Sequence, residues 1–261
     1  RRQIGDDHGI GVALVEGPQG FGRFEPDQDI GLAVGNDGTG AAMSFRIQPT
    51  PPARPNRCQL FGPGSNTKLF EKMAASAADV INLDLEDSVA PDDKPQARKN
   101  IIAAINDIDW GKKTLSVRIN ALDTPFGYRD LLEVMEAAGR RLGSVVVPKV
   151  NHPGDIHFVD RMIDGIGLAQ GQPLEIGIEA SIETAQGLEQ VKKIARASRR
   201  VQALVFGIAD YSASVGARLV SLSGHGEKEE DIYPGHRWHF ALSRLVMTAK
   251  ARGILAIDAP Y

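Results

Sequence analysis

A single cysteine, Cys58, stands in 261 residues. One thiol excludes an intrachain disulfide framework and a cysteine-rich zinc site, and it fits a reducing compartment. Long hydrophobic runs are also lacking. No apolar stretch approaches the roughly 18 residues of a membrane span, and no secretory h-region opens the sequence, so a cytoplasmic protein with no membrane partner is expected. Nor is there an excess of charge of one sign: 30 basic and 33 acidic side chains leave a net charge of -3. That balance argues against a nucleic-acid partner while leaving room for one local phosphate site. What is present, 42% hydrophobic and 24% charged residues, suits a soluble chain able to bury a sizeable core.

Residues 1–42 hold 10 of the 28 glycines and a net charge of -4. Their glycine density suggests weak order, and Met43 is a sensible start of translation. They are expected to be an extension outside the functional domain. Residues 43–55, with Pro49-Thr-Pro-Pro-Ala-Arg-Pro55, form a proline-rich, PPII-like lead-in. Residues 56–261 form the domain proper.

Within that domain, short apolar runs recur at Cys58–Phe61, Val80–Leu85, Leu115–Ile119, Ser144–Pro148, Leu174–Ile182, Ala203–Gly207 and Ile254–Asp258. Segments of helical period lie between them. Their expected faces are Leu69, Phe70, Met73 and Ala77, with Ser65 as N-cap; then Ile101, Ile102 and Ile105, begun by Pro95; Leu131, Leu132 and Met135; Ile156, Val159 and Ile163; Leu188, Val191 and Ile194; and Leu242, Leu245 and Val246. Strands alternating with amphipathic helices predict a parallel sheet covered by helices. Gly62-Pro-Gly-Ser65 is not a dinucleotide fingerprint, and charged residues follow nearly every strand. That favours a (β/α)8 TIM-type barrel, which gathers strand ends into one active-site mouth. Seven strands are counted, so the barrel is expected to be truncated after the seventh.

The strand ends carry the chemistry. In Asp84-Leu-Glu-Asp-Ser88, two-residue alternation sets Asp84 and Glu86 on one side, with Asp87 entering the loop. Clustered carboxylates are costly to bury without a cation or several donors; a solvated turn with Asp87 or Ser88 capping a helix is the other reading. Glu183 and Asp210 follow adjacent strands and would converge, and two carboxylates completed by water and substrate oxygens suit Mg²⁺. Each could instead cap the helix that follows. Arg118 could hold a carboxylate or stabilise an enolate oxygen, or could form a structural pair with Asp84 or Glu86. Lys149 could be a charge partner or a Schiff-base nucleophile. The turn Phe61-Gly-Pro-Gly-Ser-Asn-Thr-Lys68 suits phosphate groups. His225, His236 and His239 fit a lid or an oligomer contact better than a zinc site.

Taken in order, Leu60-Phe-Gly-Pro-Gly-Ser65, Leu83-Asp-Leu-Glu-Asp-Ser-Val-Ala-Pro-Asp-Asp-Lys94, Val117-Arg-Ile-Asn-Ala-Leu-Asp-Thr124, Val147-Pro-Lys-Val150, Ile182-Glu-Thr-Ala-Gln-Gly187, Gly207-Ile-Ala-Asp210 and Ile257-Asp-Ala-Pro-Tyr261 resemble the CitE-like branch of the HpcH/HpaI aldolase superfamily, above all its malyl-CoA/β-methylmalyl-CoA lyases. The resemblance implies a (β/α)8 barrel and a Mg²⁺-dependent (or Mn²⁺-dependent) reversible Claisen-type cleavage of an acyl-CoA to glyoxylate and a shorter acyl-CoA. It implies Glu183 and Asp210 as metal ligands and Arg118 as the donor to the enolate. Glu86 and Asp87 would hold metal-bound waters and orient Arg118, and Phe61 and Lys68 would contact coenzyme A. A homo-oligomer, trimer or hexamer, is implied too, as is an acid/base aspartate from a segment beyond Tyr261. The citryl-CoA-cleaving β subunit of citrate lyase, a Lys149 Schiff-base aldolase and a non-catalytic acyl-CoA-binding protein are the alternatives.

Overall fold

The computed structural model describes residues 54–217 and 237–258. Seven strands make one sheet: β1 Gln59–Pro63, β2 Val80–Asp84, β3 Thr114–Arg118, β4 Ser144–Val147, β5 Gly177–Ile182, β6 Val201–Phe206 and β7 Leu255–Ile257. All pairings are parallel and the spatial order is the chain order, β1 to β7. A doubly wound sheet reverses its strand order at a switch point; this one never does.

The sheet is also curled. Gln59 on β1 donates from Nε2 to Glu179 Oε2 on β5 at 2.8 Å. Four strand spacings in a flat sheet would separate those strands by roughly 19 Å. Glu179 also accepts from Ser144 Oγ on β4 at 3.0 Å and from Gln202 on β6. The concave face is therefore a barrel lumen, lined at this level by polar side chains, and the expected (β/α) barrel architecture is present with seven strands among the described residues.

Alternation divides each strand between lumen and helix layer. On β2 and its extension, Ile81, Leu83 and Leu85 are fully buried toward the helices, while Asn82, Asp84 and Glu86 alternate with them. Among the described residues the helix layer consists of the short α1 Phe70–Ala74, α2 Lys94–Asp107, α3 Gly127–Ala138, α4 Pro153–Ala169, α5 Ala185–Ile194, α6 Ile208–Ser214 and α7 His239–Arg252. Ile101 and Ile105, Leu131 and Met135, Ile156 and Ile163, and Val191 and Ile194 are all fully buried in one core with the strands' outer faces. At about 1.5–3 kcal/mol for each large apolar side chain taken out of water, this layer is the main source of stability.

Several boundaries differ from expectation. β5 begins at Gly177 rather than Leu174, because the Arg200 guanidinium takes the carbonyls of Leu174 and Ile176, at 2.7 and 3.1 Å, away from the ladder. Ser65 caps no helix: backbone bonds from Asn66 to Pro63 and from Leu69 to Asn66 close that turn, and a 3₁₀ turn over Thr67–Leu69 leads into α1. On α7 Leu245 is buried and Leu242 packs against the core as expected, but Val246 is exposed and Ala241, Thr248 and Ala249 complete the buried face. The two alanines let that helix approach α5, β6 and β7 closely. His225, His236, the expected extension 1–42 and Tyr261 lie outside the described residues.

Candidate active site

The charged residues collect at the C-terminal ends of β2 to β6. Asp84 and Arg118 are register partners on β2 and β3, which sets their side chains next to each other. Arg118 donates from Nε to Asp84 Oδ1 and from Nη2 to Asp84 Oδ2, both at 2.7 Å, a bidentate fork that fixes the guanidinium plane. Its Nη1 stands 3.1 Å from Glu86 Oε2. The Phe61 ring, 40% exposed, lies beneath it with its centroid 5.5 Å from Arg118 Cζ. Burial would lower the Arg118 pKa, but the bond from Asp84 and the charges around it outweigh that, so the group is held above its ordinary value. Burial likewise opposes the Asp84 charge, and Arg118 reverses the balance, lowering that carboxyl.

The loop after β2 is fixed from within. Asp84 accepts from the Glu86 amide at 2.9 Å and from the Ser88 hydroxyl. Lys94, at the start of α2, donates to the carbonyls of Leu85 and Glu86, each at 2.8 Å. Asp84 and Ser88 thus stabilise the turn together, and neither Asp87 nor Ser88 caps a helix: α2 and the 3₁₀ turn before it have no side-chain cap. Burial pushes the Glu86 carboxyl up to about 7 against the pull of Arg118 and Lys149, and the neighbouring Glu183 adds to the rise.

Lys149 follows β4 with a φ of 50°, the sole non-glycine at positive φ among the described residues. Its ammonium stands 2.6 Å from Glu86 Oε1 and 3.5 Å from both Asp87 Oδ1 and Asp210 Oδ2. Burial would lower its pKa; the bond to Glu86 and the charges of Asp210 and Asp87 prevail and raise it. A lysine held protonated in this way is poorly suited to Schiff-base attack.

Glu183 is 5% exposed. Its Oε1 accepts from the Lys149 backbone N–H at 2.8 Å. Burial raises its pKa; the Lys149 amide opposes the rise, and the Asp210 charge adds to it. It does not cap α5. Thr184 does, its hydroxyl accepting from the Gly187 amide at 2.9 Å. Asp210 lies in the first turn of α6, whose N-cap position, Gly207, makes no side-chain cap bond. Gly207 is glycine because Glu183 leaves no room: a Cβ there would stand 2.6 Å from Glu183 Cβ and run into its carboxylate.

The structure therefore brings Asp84, Glu86, Asp87, Arg118, Lys149, Glu183 and Asp210 to one mouth. Lys68 is exposed on the 3₁₀ turn after β1. Asp87 pairs with Lys149, and the groups that hold Arg118 are Asp84 and Glu86. Asp84 as the bidentate holder of Arg118 is a role the sequence alone leaves open between Asp84 and Glu86; the signal for it is the strand register. Among the described residues no group of three or more His, Cys, Asp or Glu side chains is placed to hold a metal by itself, and Arg118 and Lys149 stand among the acids. The donor set nevertheless suits a hard dication. Glu183 and Asp210 are oxygen donors on neighbouring strand ends whose like charges oppose each other, and a divalent ion between them would turn that repulsion into attraction.

Residues 57–261 match the HpcH/HpaI aldolase/citrate lyase family. The L-malyl-CoA/β-methylmalyl-CoA lyase of Cereibacter sphaeroides is 53% identical over 224 residues, covering 84% of this chain and 70% of that protein. The malyl-CoA/β-methylmalyl-CoA/citramalyl-CoA lyase of Chloroflexus aurantiacus is 33% identical, covering 80% of this chain and 64% of that one. Among solved structures, the Mycobacterium tuberculosis citrate lyase β subunit complexed with oxaloacetate and magnesium superposes with a TM-score of 0.58 at 29% identity, covering 77% of each chain.

Proposed function

The chain belongs to the HpcH/HpaI aldolase/citrate lyase family, and from that membership we propose that it is a magnesium-dependent carbon–carbon lyase. It cleaves malyl-CoA to glyoxylate and acetyl-CoA, or β-methylmalyl-CoA to glyoxylate and propionyl-CoA, reversibly and as a homo-oligomer. The function resides in residues 56–261, with residues 1–42 outside it.

The observation that carries this reading is the Arg118 fork, held rigid by Asp84 beside the Glu183–Asp210 pair. Cleavage of the C–C bond leaves negative charge on the thioester oxygen of the departing acyl-CoA. Donors already aimed at that oxygen lower the barrier without reorganising during the reaction. Arg118 has Nη1 turned toward Glu86 and one face on Phe61, so its plane is set before substrate arrives. Glu183 and Asp210 would hold Mg²⁺, which supplies Lewis-acid polarisation of the glyoxylate carbonyl. Glu86 and Asp87 would orient water at such an ion, and Lys68 and Phe61 would contact coenzyme A.

Glu183→Ala and Asp210→Ala are each expected to abolish Mg²⁺-dependent malyl-CoA cleavage while leaving the circular dichroism spectrum intact, since neither side chain belongs to the apolar core. Both variants retaining activity would refute the metal assignment. Product analysis separates the neighbouring chemistries: oxaloacetate from citryl-CoA would make the chain a citrate-lyase β subunit instead.

A further inference from the structure

Five carboxylates (Asp84, Glu86, Asp87, Glu183 and Asp210) meet Arg118 and Lys149 at the mouth, while Lys94, near Asp84, Glu86 and Asp87, spends its donors on the carbonyls of Leu85 and Glu86. Arg118 is committed to Asp84 and Glu86. Lys149 alone among the described cations is ion-paired with Asp87 and Asp210. Its place is built into the backbone. The left-handed conformation at φ 50° is costly for a residue with a Cβ, and it coincides with the bond from the Lys149 N–H to Glu183 Oε1 at 2.8 Å. One residue thus touches both proposed metal ligands, Glu183 through its amide and Asp210 through its ammonium. The ammonium is anchored more closely to Glu86, at 2.6 Å, than to Asp210, at 3.5 Å. It can therefore leave Asp210 and keep its strongest partner.

We propose that Lys149 is a resident counter-cation that competes with the divalent ion for Asp210 and so sets how tightly that ion is held. The inference rests on the reading of Glu183 and Asp210 as metal ligands. A fixed positive charge a few ångströms from a dication opposes its binding, and it does so strongly in a partly buried site where solvent screens little. Lys149 also neutralises the acids when no dication shares them. The ion and the ammonium are thus alternatives for the same charge, and Lys149 is a positioning residue that keeps the metal exchangeable.

The test is Mn²⁺ titration of the full chain, followed by electron paramagnetic resonance and calorimetry, for wild type, Lys149→Met and Lys149→Arg. Lys149→Met is expected to bind Mn²⁺ at least about tenfold more tightly than wild type, and Lys149→Arg, which keeps the charge, within about threefold of it. The rise in melting temperature on adding Mg²⁺ is expected to be larger in Lys149→Met than in wild type. Equal or weaker Mn²⁺ binding by Lys149→Met overturns the proposal. Lys149→Gln, which can still bond Glu86, is the second variant. Should neither Met nor Gln variant fold even at saturating Mg²⁺, the proposal also falls, because the ion would then be unable to replace the ammonium. Glu183→Gln separates the two levels: if wild type binds no Mn²⁺ that this change weakens, the metal reading itself fails and takes this inference with it.

Discussion

At the residue scale, the site depends on one planar group held in a fork. A lysine at position 118 would carry the same charge but could not engage both Asp84 oxygens and present a further donor to substrate. Arg118→Lys is expected to lower kcat by about 10²-fold, the size of losing a transition-state donor, with a smaller change in KM, measured by steady-state cleavage of malyl-CoA. A loss confined to KM would mean that Arg118 contributes equally to the ground state. The acids and the arginine were legible in the sequence because each ends an apolar run, and two-residue alternation already set Asp84 and Glu86 on one side. The Asp84–Arg118 fork was not decided there, since it follows from the pairing of β2 with β3 in register. The left-handed backbone at Lys149 left no trace in composition, because no glycine or asparagine marks it.

At the element scale, β5 and β6 meet at their C-terminal ends on Gly207, whose amide donates to the Ile182 carbonyl at 3.3 Å. Gly207→Ala would force the Glu183 carboxylate off its bond to the Lys149 amide. It is expected to weaken Mn²⁺ binding by about tenfold or more and to destabilise the fold by about 1–3 kcal/mol, the usual cost of overpacking a tight site. Calorimetric titration and denaturant melts check the two parts separately. Strand and helix order were readable because apolar runs and helical stripes alternate so regularly. The ends were less so. Whether β5 begins at Leu174 or Gly177 turns on which carbonyls Arg200 occupies, a contact made across 24 to 26 residues. The face of α7 was readable at Leu242 and Leu245 but not at Ala241 and Ala249, because alanine is a weak hydrophobic signal but an effective one for close packing.

At the scale of the whole molecule, the lumen is tied together by a buried carboxyl. Glu179 is 1% exposed, and burial raises its pKa above the ordinary value of 4.5, although Gln59, Ser144 and Gln202 all donate to it. A carboxyl with a raised folded pKa favours the native state while it is protonated. Its contribution is fully present below the unfolded value near 4.5 and is lost as pH climbs through the folded one. Glu179→Gln keeps the shape and removes the titration. The melting temperature of Glu179→Gln relative to wild type is therefore expected to rise as pH climbs above about 4.5 and to level off beyond the folded pKa, and parallel curves would show that Glu179 does not titrate differently on folding. The barrel class itself was legible from the alternation of strands and helices, but the polar lumen was not, because Gln59 and Glu179 read as ordinary polar positions until the curl brings them together.

The unbroken chain order of the strands also bears on how the protein comes to be folded. Each strand finds its partner in the next strand along, so every pairing closes a loop of modest length and the sheet can grow by local steps as the polypeptide leaves the ribosome. The Gln59–Glu179 bond spans 120 residues and has nothing to join until β5 exists. The bond that closes the lumen is thus a contact of high sequence separation, and it can form only after the local pairings of β1 to β5 are in place.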